Sequence, residues 1–262
     1  MPRRVAHRLR IAIAVLCGGA LVLSTAAGHA ACEFETVRTG SVADIIDNTT
    51  FRLQDGQEVR LAGIVVPPEQ AAQPSALATL LRGRDVTLRA SAAKPDRYGR
   101  LLALAYVSGQ AEPVQITLLE QGVALASGEF GPAEAALACV REFLAHEGMA
   151  RQARRGYWAD PAAIKNTERT DDISPRIGQF IVAEGKIASV REAGATIYVN
   201  FGRRWTRDFA VTISRRMVRG FEAAGLAPKA LENRVVRVRG WVEQRTGPRI
   251  EALGPGQIEL LR

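Results

Sequence analysis

Histidine and cysteine are scarce in this chain, which has three of each among its 262 residues. His7, His29 and Cys17 all lie within the first thirty residues. Beyond them only His146 remains, which excludes a metal site built from several histidines and leaves one histidine as a candidate general base. We expect His146 to be a solvated residue on a helix.

A long hydrophobic run is missing as well. The uncharged stretch 11–27 falls short of the roughly 20 strongly apolar residues that span a membrane, and Gly and Ala dilute it. It follows four arginines and precedes the small residues Gly28 and Ala30, a pattern typical of a secretory signal peptide cleaved after Ala30. We therefore expect an exported protein, periplasmic or secreted, with no membrane contact after cleavage. An uncleaved membrane anchor is the alternative.

Export would leave two cysteines, Cys32 and Cys139, in an oxidising compartment. We predict a disulfide between them, which would close a loop of about 100 residues and contribute on the order of 4 kcal/mol. The alternative is a pair of unpaired thiols, one of them buried on a helix.

The composition and charge indicate a globular protein with two unlike halves. Apolar residues make up 47% of the chain and charged residues 24%, so a disordered chain is excluded. The formal charge of +8 falls to +4 without the four arginines of residues 1–30. Residues 31–160 then carry −3 and residues 161–262 carry +7. A polyanionic partner is therefore expected first at the second half.

Short alternating strands separated by turn residues predict a mainly β protein with some α-helix. Residues 33–159 show five strands and three helices, and residues 179–262 show three strands, a helix and two more strands. Residues 160–178 are rich in Asp, Asn and Pro and are predicted to be a linker. We predict two small OB-type β-barrels, the first with three helices.

Four short motifs occur in the first domain. In chain order they are Ile46–Phe51 (IDNTTF), Val59–Ile64 (VRLAGI) running into Pro67-Pro68-Glu69, Asp96–Arg100 (DRYGR) and Leu118–Gly122 (LLEQG). In this order and spacing the domain resembles the staphylococcal nuclease (thermonuclease) family over about 125 residues. The resemblance implies an OB-type fold and phosphodiester hydrolysis. Two Asp would hold Ca²⁺, a Glu would activate water and two Arg would clamp the phosphate.

The chain retains the arginines of that site but not its metal ligands. Thr49 and Val65 stand where the family has its two ligand aspartates. A hard divalent ion would lose its charge balance and donors there, so we expect no cofactor, with Ca²⁺ bound only if the site is rearranged. The matching residues are Arg60 and Arg100 for the arginines, Asp47 for the first Asp of the family's Asp-Gly-Asp-Thr turn, and Glu69 for the Glu if one residue is inserted.

The second domain carries basic and aromatic residues on predicted strand faces, as OB-type domains do when they hold single-stranded nucleic acid. Residues 234–259 also resemble the C-terminal domain of exported thermonuclease-like proteins of bacteria. Alternatively, the arginines form ion pairs with nearby glutamates such as Glu184, and Trp205 and Trp241 are core residues. The candidates for nucleic-acid or phosphate contact are Arg60, Tyr98, Arg100, Tyr198, Arg203, Arg204, Trp205, Arg237 and Arg239.

These features lead to three hypotheses. The favoured one is an exported thermonuclease-like protein that binds nucleic acid or another phosphate polyanion, with Ca²⁺-dependent phosphodiesterase activity weak or lost. The second is an active metal-dependent endonuclease, and the third is a periplasmic adaptor that binds protein. Carboxylates converging on Thr49, Val65 and Glu69 would favour the endonuclease, whereas an apolar pocket there would exclude it.

Overall fold

The computed structural model describes Met1, Cys32 and residues 34–72, 75–130 and 134–261. The predicted signal peptide and its cleavage site lie, apart from Met1, outside the described residues. Within those described ranges, no helix is long and apolar enough to cross a membrane.

The first domain is built on a closed barrel of five strands in the order β1-β2-β3-β6-β5. Val59 and Leu61 on β3 point into its core while Arg60 between them points outward, as strand alternation requires. In chain order the elements are β1 (Glu35–Ile45), β2 (Thr50–Leu53), β3 (Glu58–Leu61), β4 (Ile64–Val65), α1 (Pro68–Ala71), α2 (Ala76–Leu81), β5 (Asp85–Ala90), β6 (Leu101–Val107), α3 (Val114–Glu120), β7 (Leu125–Ala126), α4 (Glu134–Gln152) and a 3₁₀ turn (Gly156–Ala159).

Helices α2, α3 and α4 are the three that the sequence predicts. The side chain of Ser75 caps α2 by accepting a hydrogen bond from the amide of Ala78 at 3.2 Å. On α4, Cys139, Val140 and Phe143 are buried at helical spacing against the barrel. Helices α2 and α3 pack on the barrel, and α4 also contacts the second domain.

The predicted disulfide between Cys32 and Cys139 is present. It joins the segment before β1 to helix α4 across 107 residues, and both cysteines are buried. In the chain-entropy model a loop of that length stabilises the fold by roughly 4–5 kcal/mol. The bond therefore holds α4 against the start of the barrel.

The second domain has the same strand order as the first. Its elements are β8 (Ile164–Asn166), α5 (Thr170–Ile173), a 3₁₀ turn (Ser174–Arg176), β9 (Phe180–Lys186), β10 (Ser189–Ala193), β11 (Thr196–Asn200), β12 (Ala210–Ser214), a 3₁₀ turn (Arg215–Met217), α6 (Val218–Ala223), a 3₁₀ turn (Pro228–Leu231), β13 (Val235–Gln244), β14 (Pro248–Ala252), a 3₁₀ turn (Pro255–Gln257) and β15 (Ile258–Leu260).

The sheet of this domain runs β10-β11-β12-β14-β13-β9-β8. Strands β9 and β10 are consecutive and are separated only by Ile187 and Ala188, so one bent strand pairs with β13 through its first half and with β11 through its second. A parallel pair, β12 with β14, corresponds to the parallel pair β3 with β6 in the first barrel. The second unit therefore has OB-type strand order, with β8 added at one edge.

The segment 160–178 is not the linker that its polar composition predicts. Residues 164–166 form β8, which pairs in parallel with β9, and α5 follows directly. Ile173 on α5 is fully buried in the second core. The one apolar residue of this single-turn helix anchors the segment in the core. The sequence did not reveal the helix, because one apolar residue shows no helical periodicity.

The two domains share an apolar cluster, referred to below as the interdomain cluster. Val65, Tyr157 and Ile164 pack at its edge. The two domains also meet at a second place. There Gly256 lies so close to Val140 that a Cβ at position 256 would be 2.3 Å from Cγ1 of Val140. The cluster consists of Leu125, Ala150 and Trp158 from the first domain and Ala163, Phe180 and Val182 from the second.

A buried ion pair lies beside the interdomain cluster. Glu147 on α4 and Arg239 on β13 both have fully buried side chains, and Nη1 of Arg239 donates to Oε2 of Glu147 at 2.9 Å. The same guanidinium donates to the carbonyl of Ala126 at 3.0 Å and to Glu259, while the amide of Ala126 donates to Glu147 at 2.7 Å. Burial lowers the pKa of Arg239, but the charges of Glu147 and Glu259 outweigh that effect and raise it above its ordinary value.

Removing one partner of this pair should be costly. We expect Arg239→Met to lower the free energy of unfolding by about 3–5 kcal/mol, because it leaves the Glu147 carboxylate buried without its countercharge. The double variant E147M/R239M should lose at least about 1 kcal/mol less than the sum of the two single variants. Urea denaturation of the four proteins measures both quantities.

The pair Arg52–Glu58 is the matched control, since its Nη2–Oε1 distance is also 2.9 Å but it is exposed to solvent. Glu58→Gln should cost less than about 1 kcal/mol. If Arg239→Met also cost less than about 1 kcal/mol, this would contradict a buried pair that couples the domains. Strictly additive losses in the double variant would contradict it as well.

Candidate functional site

The positions that match the family's metal and catalytic residues, Asp47, Thr49, Val65 and Glu69, are together called the cleft of the first barrel below. Asp47 forms a local turn. Its Oδ1 accepts hydrogen bonds from the amide of Thr49 at 2.7 Å and from the Thr49 hydroxyl at 2.9 Å. This is the hydrogen-bonding pattern by which Asp stabilises a turn two residues on. The Thr49 hydroxyl, which stands at an expected ligand position, thus donates its hydrogen bond to Asp47.

Val65, at the second ligand position, belongs to an apolar contact. On β4 it pairs with Leu125 of β7, and its side chain packs against the interdomain cluster. An aliphatic side chain supplies no donor to a cation. The position that holds a metal ligand in the family here supports docking of the second barrel.

Glu69 on α1 also faces the second domain. Its Oε1 lies 3.6 Å from Nη1 of Arg176 in the segment before β9. Tyr157 lies in the same region, and its hydroxyl donates to the carbonyl of Ala163 at 3.0 Å. Burial, with a smaller contribution from the charge of Glu69, raises the pKa of Tyr157 to about 12. The cleft of the first barrel therefore meets an apolar and ion-paired surface of its own chain.

The residues present do not fit a calcium ion. Ca²⁺ takes six to eight oxygen ligands with several carboxylates among them, whereas this cleft offers Thr49, Val65 and a Glu69 paired with Arg176. Across the described ranges, no group of three or more His, Cys, Asp and Glu side chains could hold a metal. No catalytic step through Ca²⁺ follows from this arrangement.

Arg60 lies on β3, and Arg100 immediately precedes β6, the strand that pairs with β3. Arg60 is level with Leu102 in the parallel pairing of β3 with β6, and Arg100 comes two residues earlier, about 7 Å along the strand. Arg60 is half-buried, and among the described residues it has no ion-pair partner. Arg100 forms two hydrogen bonds to Oδ2 of Asp96, at 2.8 and 3.0 Å. Arg100 is therefore committed to the Asp96 turn, and only Arg60 has an unpaired charge.

Tyr98 is the exposed aromatic residue of that turn. It is 63% exposed, and the guanidinium carbons of Arg97 and Arg100 lie 4.7 and 4.9 Å from its ring centre. Burial raises the pKa of Asp96, but hydrogen bonds from the Arg100 side chain and from backbone amides outweigh it and hold that pKa below its usual range. Asp96 and Arg100 thus stabilise the turn through hydrogen bonds to each other.

His146 has an acidic partner on a neighbouring helix. On α4 its Nδ1 lies 2.8 Å from Oε1 of Glu120, and its side chain is 19% exposed. It is thus more buried than the solvated position expected from the sequence, and it contacts helix α3.

The second barrel carries a large groove with a volume of about 920 Å³, which is called the groove below. Its floor is the outer face of β10, β11 and β12. Tyr198 lies at the centre, with Arg191 directly across on β10 and Thr212 directly across on β12. The neighbouring row is Ser189, Asn200, Ala210 and Arg249.

Two loops form one end of the groove. The β11–β12 loop, residues 201–209, carries Arg203 and Trp205, and the β13–β14 turn carries Arg245. The loops touch, since a Cβ at Gly247 would lie 3.2 Å from the carbonyl oxygen of Asp208. Trp205 is 70% exposed, so it is not the core residue of the alternative prediction.

The charge of the groove is positive. It is lined by five cationic and two acidic side chains. Arg249 lies 3.3 Å from Glu243 and Arg245 lies 3.9 Å from the same carboxylate. Within the described part of the chain the other three cations, Lys186, Arg191 and Arg203, have no acidic partner within ion-pair distance.

Three of the contact residues predicted in the second domain do not line the groove. Arg204 is next to the groove, where its amide donates to Asp208 at 2.8 Å and its side chain is 3.8 Å from that carboxylate. The prediction that Arg237 and Arg239 face a ligand is wrong. Arg237 pairs with Glu184 at 2.6 Å and Glu259 at 3.2 Å, and Arg239 is in the buried pair with Glu147. They do share one face, but that face is covered by the first domain.

The groove also contains residues that the sequence analysis missed. Arg191 and Lys186 stand alone in their strands and do not form a visible basic cluster. Their positions could be found only from strand register, which places Arg191 opposite Tyr198. The missed lining residues are Lys186, Arg191, Arg245 and Arg249.

The first domain has the architecture of an OB-type barrel with appended helices and an arginine-bearing rim. Residues 58–160 match the family described as staphylococcal nuclease homologue. The match runs from β3 to the end of the 3₁₀ turn before Asp160 and includes all the helices of that domain. The first domain is therefore staphylococcal nuclease-like over residues 58–160, in agreement with the resemblance seen in the sequence. No curated protein matches this chain.

Restoring one ligand should not restore the metal site. We expect Val65→Asp to lower the free energy of unfolding by about 1–3 kcal/mol, because the carboxylate would meet the interdomain cluster. Urea denaturation measures this cost, and calorimetric titration with Ca²⁺ should show no binding.

Leu102→Asp is the control, because Leu102 is 47% exposed on the same barrel and its replacement should change stability by no more than about 0.5 kcal/mol. Ca²⁺ binding by V65D, or by T49D/V65D with an increase in stability, would show that the cleft still accommodates the ion.

Proposed function

We propose that this protein binds a phosphate polyanion, nucleic acid foremost, in the groove of the second barrel, and that it lacks Ca²⁺-dependent phosphodiesterase activity. The observation that carries the proposal is the groove itself. Five cations and two acids line it, and three of the cations have no acidic partner among the described residues. Unpaired cations in a concave surface attract polyanions and neutralise phosphates.

The residues at the cleft of the first barrel also support this proposal. A Ca²⁺-dependent hydrolase needs carboxylates that converge on the scissile phosphate, but Val65 packs at the interdomain cluster and Glu69 pairs with Arg176. Arg60 is the one remaining unpaired cation of the predicted clamp within the described residues. In this proposal the first barrel is a scaffold that carries the second, and no Ca²⁺ is required.

The proposal includes export to an oxidising compartment. The buried disulfide Cys32–Cys139 supports it, since such bonds persist mainly outside the reducing cytosol. The signal-like residues 1–30 support it further. Export would place the groove in contact with polyanions outside the cytosol.

The absence of hydrolysis can be tested directly. Plasmid and single-stranded DNA incubated with the protein and Ca²⁺ or Mg²⁺ should stay intact to the level of an EDTA control, because the cleft lacks converging carboxylates. Gel electrophoresis over time gives the result. Metal-dependent cleavage that disappears in Arg100→Ala would establish the endonuclease instead.

Polyanion binding should depend on salt and on the unpaired cations. For a single-stranded oligonucleotide, three neutralised phosphates give a slope of log K against log salt of about −2. Affinity should then fall roughly 20-fold between 50 and 200 mM salt. Arg203→Gln and Arg191→Gln should each weaken binding and reduce the slope by about 0.7. Fluorescence anisotropy of a labelled oligonucleotide measures these values.

Arg219→Gln is the matched control, since Arg219 is an exposed cation of the same domain on α6 and outside the groove. It should leave affinity and slope unchanged. Equal effects of all three variants would contradict a groove site, and no binding at low salt would favour a protein-binding adaptor.

A further inference from the structure

The groove presents two aromatic rings, the exposed Trp205 and the half-buried Tyr198, together with its cations, and a base-free polyanion would have no use for the rings. We infer that the groove binds single-stranded nucleic acid, with bases stacked on Trp205 and Tyr198. This inference rests on the polyanion binding proposed above and specifies its ligand class.

Trp205 occupies an exposed position. The tryptophan side chain is 70% exposed, and it stacks on no other aromatic ring of the described residues. Phe201 and Phe209, at the two ends of its loop, pack with ring centres 5.4 Å apart. Within the loop the amide of Arg207 donates to the carbonyl of Arg204 at 2.8 Å. A large exposed ring at a groove offers a flat surface on which a base can stack.

Tyr198 lies on a floor with space beside its ring. Its neighbours on β12 are small, with Thr212 directly across and Ala210 two residues away, about 7 Å along the strand. Both line the groove and are nearly buried, so they give the floor a flat surface. A base can therefore lie against Tyr198 without displacing a large side chain.

Each ring has an unpaired guanidinium close to it. Arg191 is the direct cross-strand partner of Tyr198, where side chains lie about 5 Å apart at the Cβ atoms. Arg203 is two residues before Trp205 in the same loop. A ring for the base beside a cation for the phosphate is the arrangement by which proteins hold single strands without reading the sequence.

The same arrangement disfavours a duplex. In double-stranded DNA and RNA the base faces are stacked inside the helix and cannot reach an aromatic side chain. A duplex would thus use only the cations of the groove and none of its rings. Single strands should bind more tightly than duplexes of the same sequence.

Variants that remove the aromatic rings test this inference in the full-length protein. Trp205→Ala should weaken binding of a labelled single-stranded oligonucleotide roughly 5- to 150-fold, and Tyr198→Ala should act in the same direction. Binding of inorganic polyphosphate, followed by competition, should change less than about twofold because it has no bases. Trp241→Ala is the matched control, as Trp241 is 51% exposed on β13 and outside the groove.

The outcomes separate this inference from the proposed function. If Trp205→Ala leaves single-strand binding unchanged, or if a duplex competes as well as a single strand, the stacking site is wrong while polyanion binding stands. If neither oligonucleotide nor polyphosphate responds to Arg191→Gln and Arg203→Gln, the proposed function itself is overturned. Circular dichroism and thermal unfolding of each variant establish that the fold is intact.

Discussion

Neither domain of this protein could bury its half of the Glu147–Arg239 pair alone. Each charge taken out of water costs several kcal/mol, and the cost is offset only when the partner and the surrounding hydrogen bonds are in place. The backbone of Ala126 is bonded to both side chains, and its neighbour Leu125 belongs to the interdomain cluster. The relative position of the two barrels is therefore specified by polar and apolar contacts at one place.

The relative position of the two barrels determines which of their surfaces remain open. Leu125 pairs with Val65, so the cleft edge of the first barrel is part of the domain contact. The buried pair and the interdomain cluster use β9, β13 and β15 of the second barrel, whereas the floor of the groove is formed by β10, β11 and β12. One face of the second barrel is covered and the other stays open. In the proposed function, the staphylococcal nuclease-like domain supports the domain that carries the groove.

The sequence predicted the architecture well because its signals are local. Alternation in short strands identified both barrels, and the small number of thiols identified the disulfide. Arg237 and Arg239 were correctly placed on one strand face, but alternation cannot show that another domain covers that face. The prediction of a linker at residues 160–178 failed for a related reason, since Ile173, which anchors the segment in the second core, is a single apolar residue in a polar stretch. Arg191 was missed because only strand pairing brings it beside Tyr198.

In the proposed function the ligand occupies the second barrel and not the cleft of the first. Ultraviolet crosslinking of a single-stranded oligonucleotide to the protein, followed by peptide mapping, distinguishes the two locations. We predict crosslinks to peptides that contain Tyr198 and Trp205. Crosslinks confined to the first barrel, on peptides that contain Arg60 or Tyr98, would contradict it.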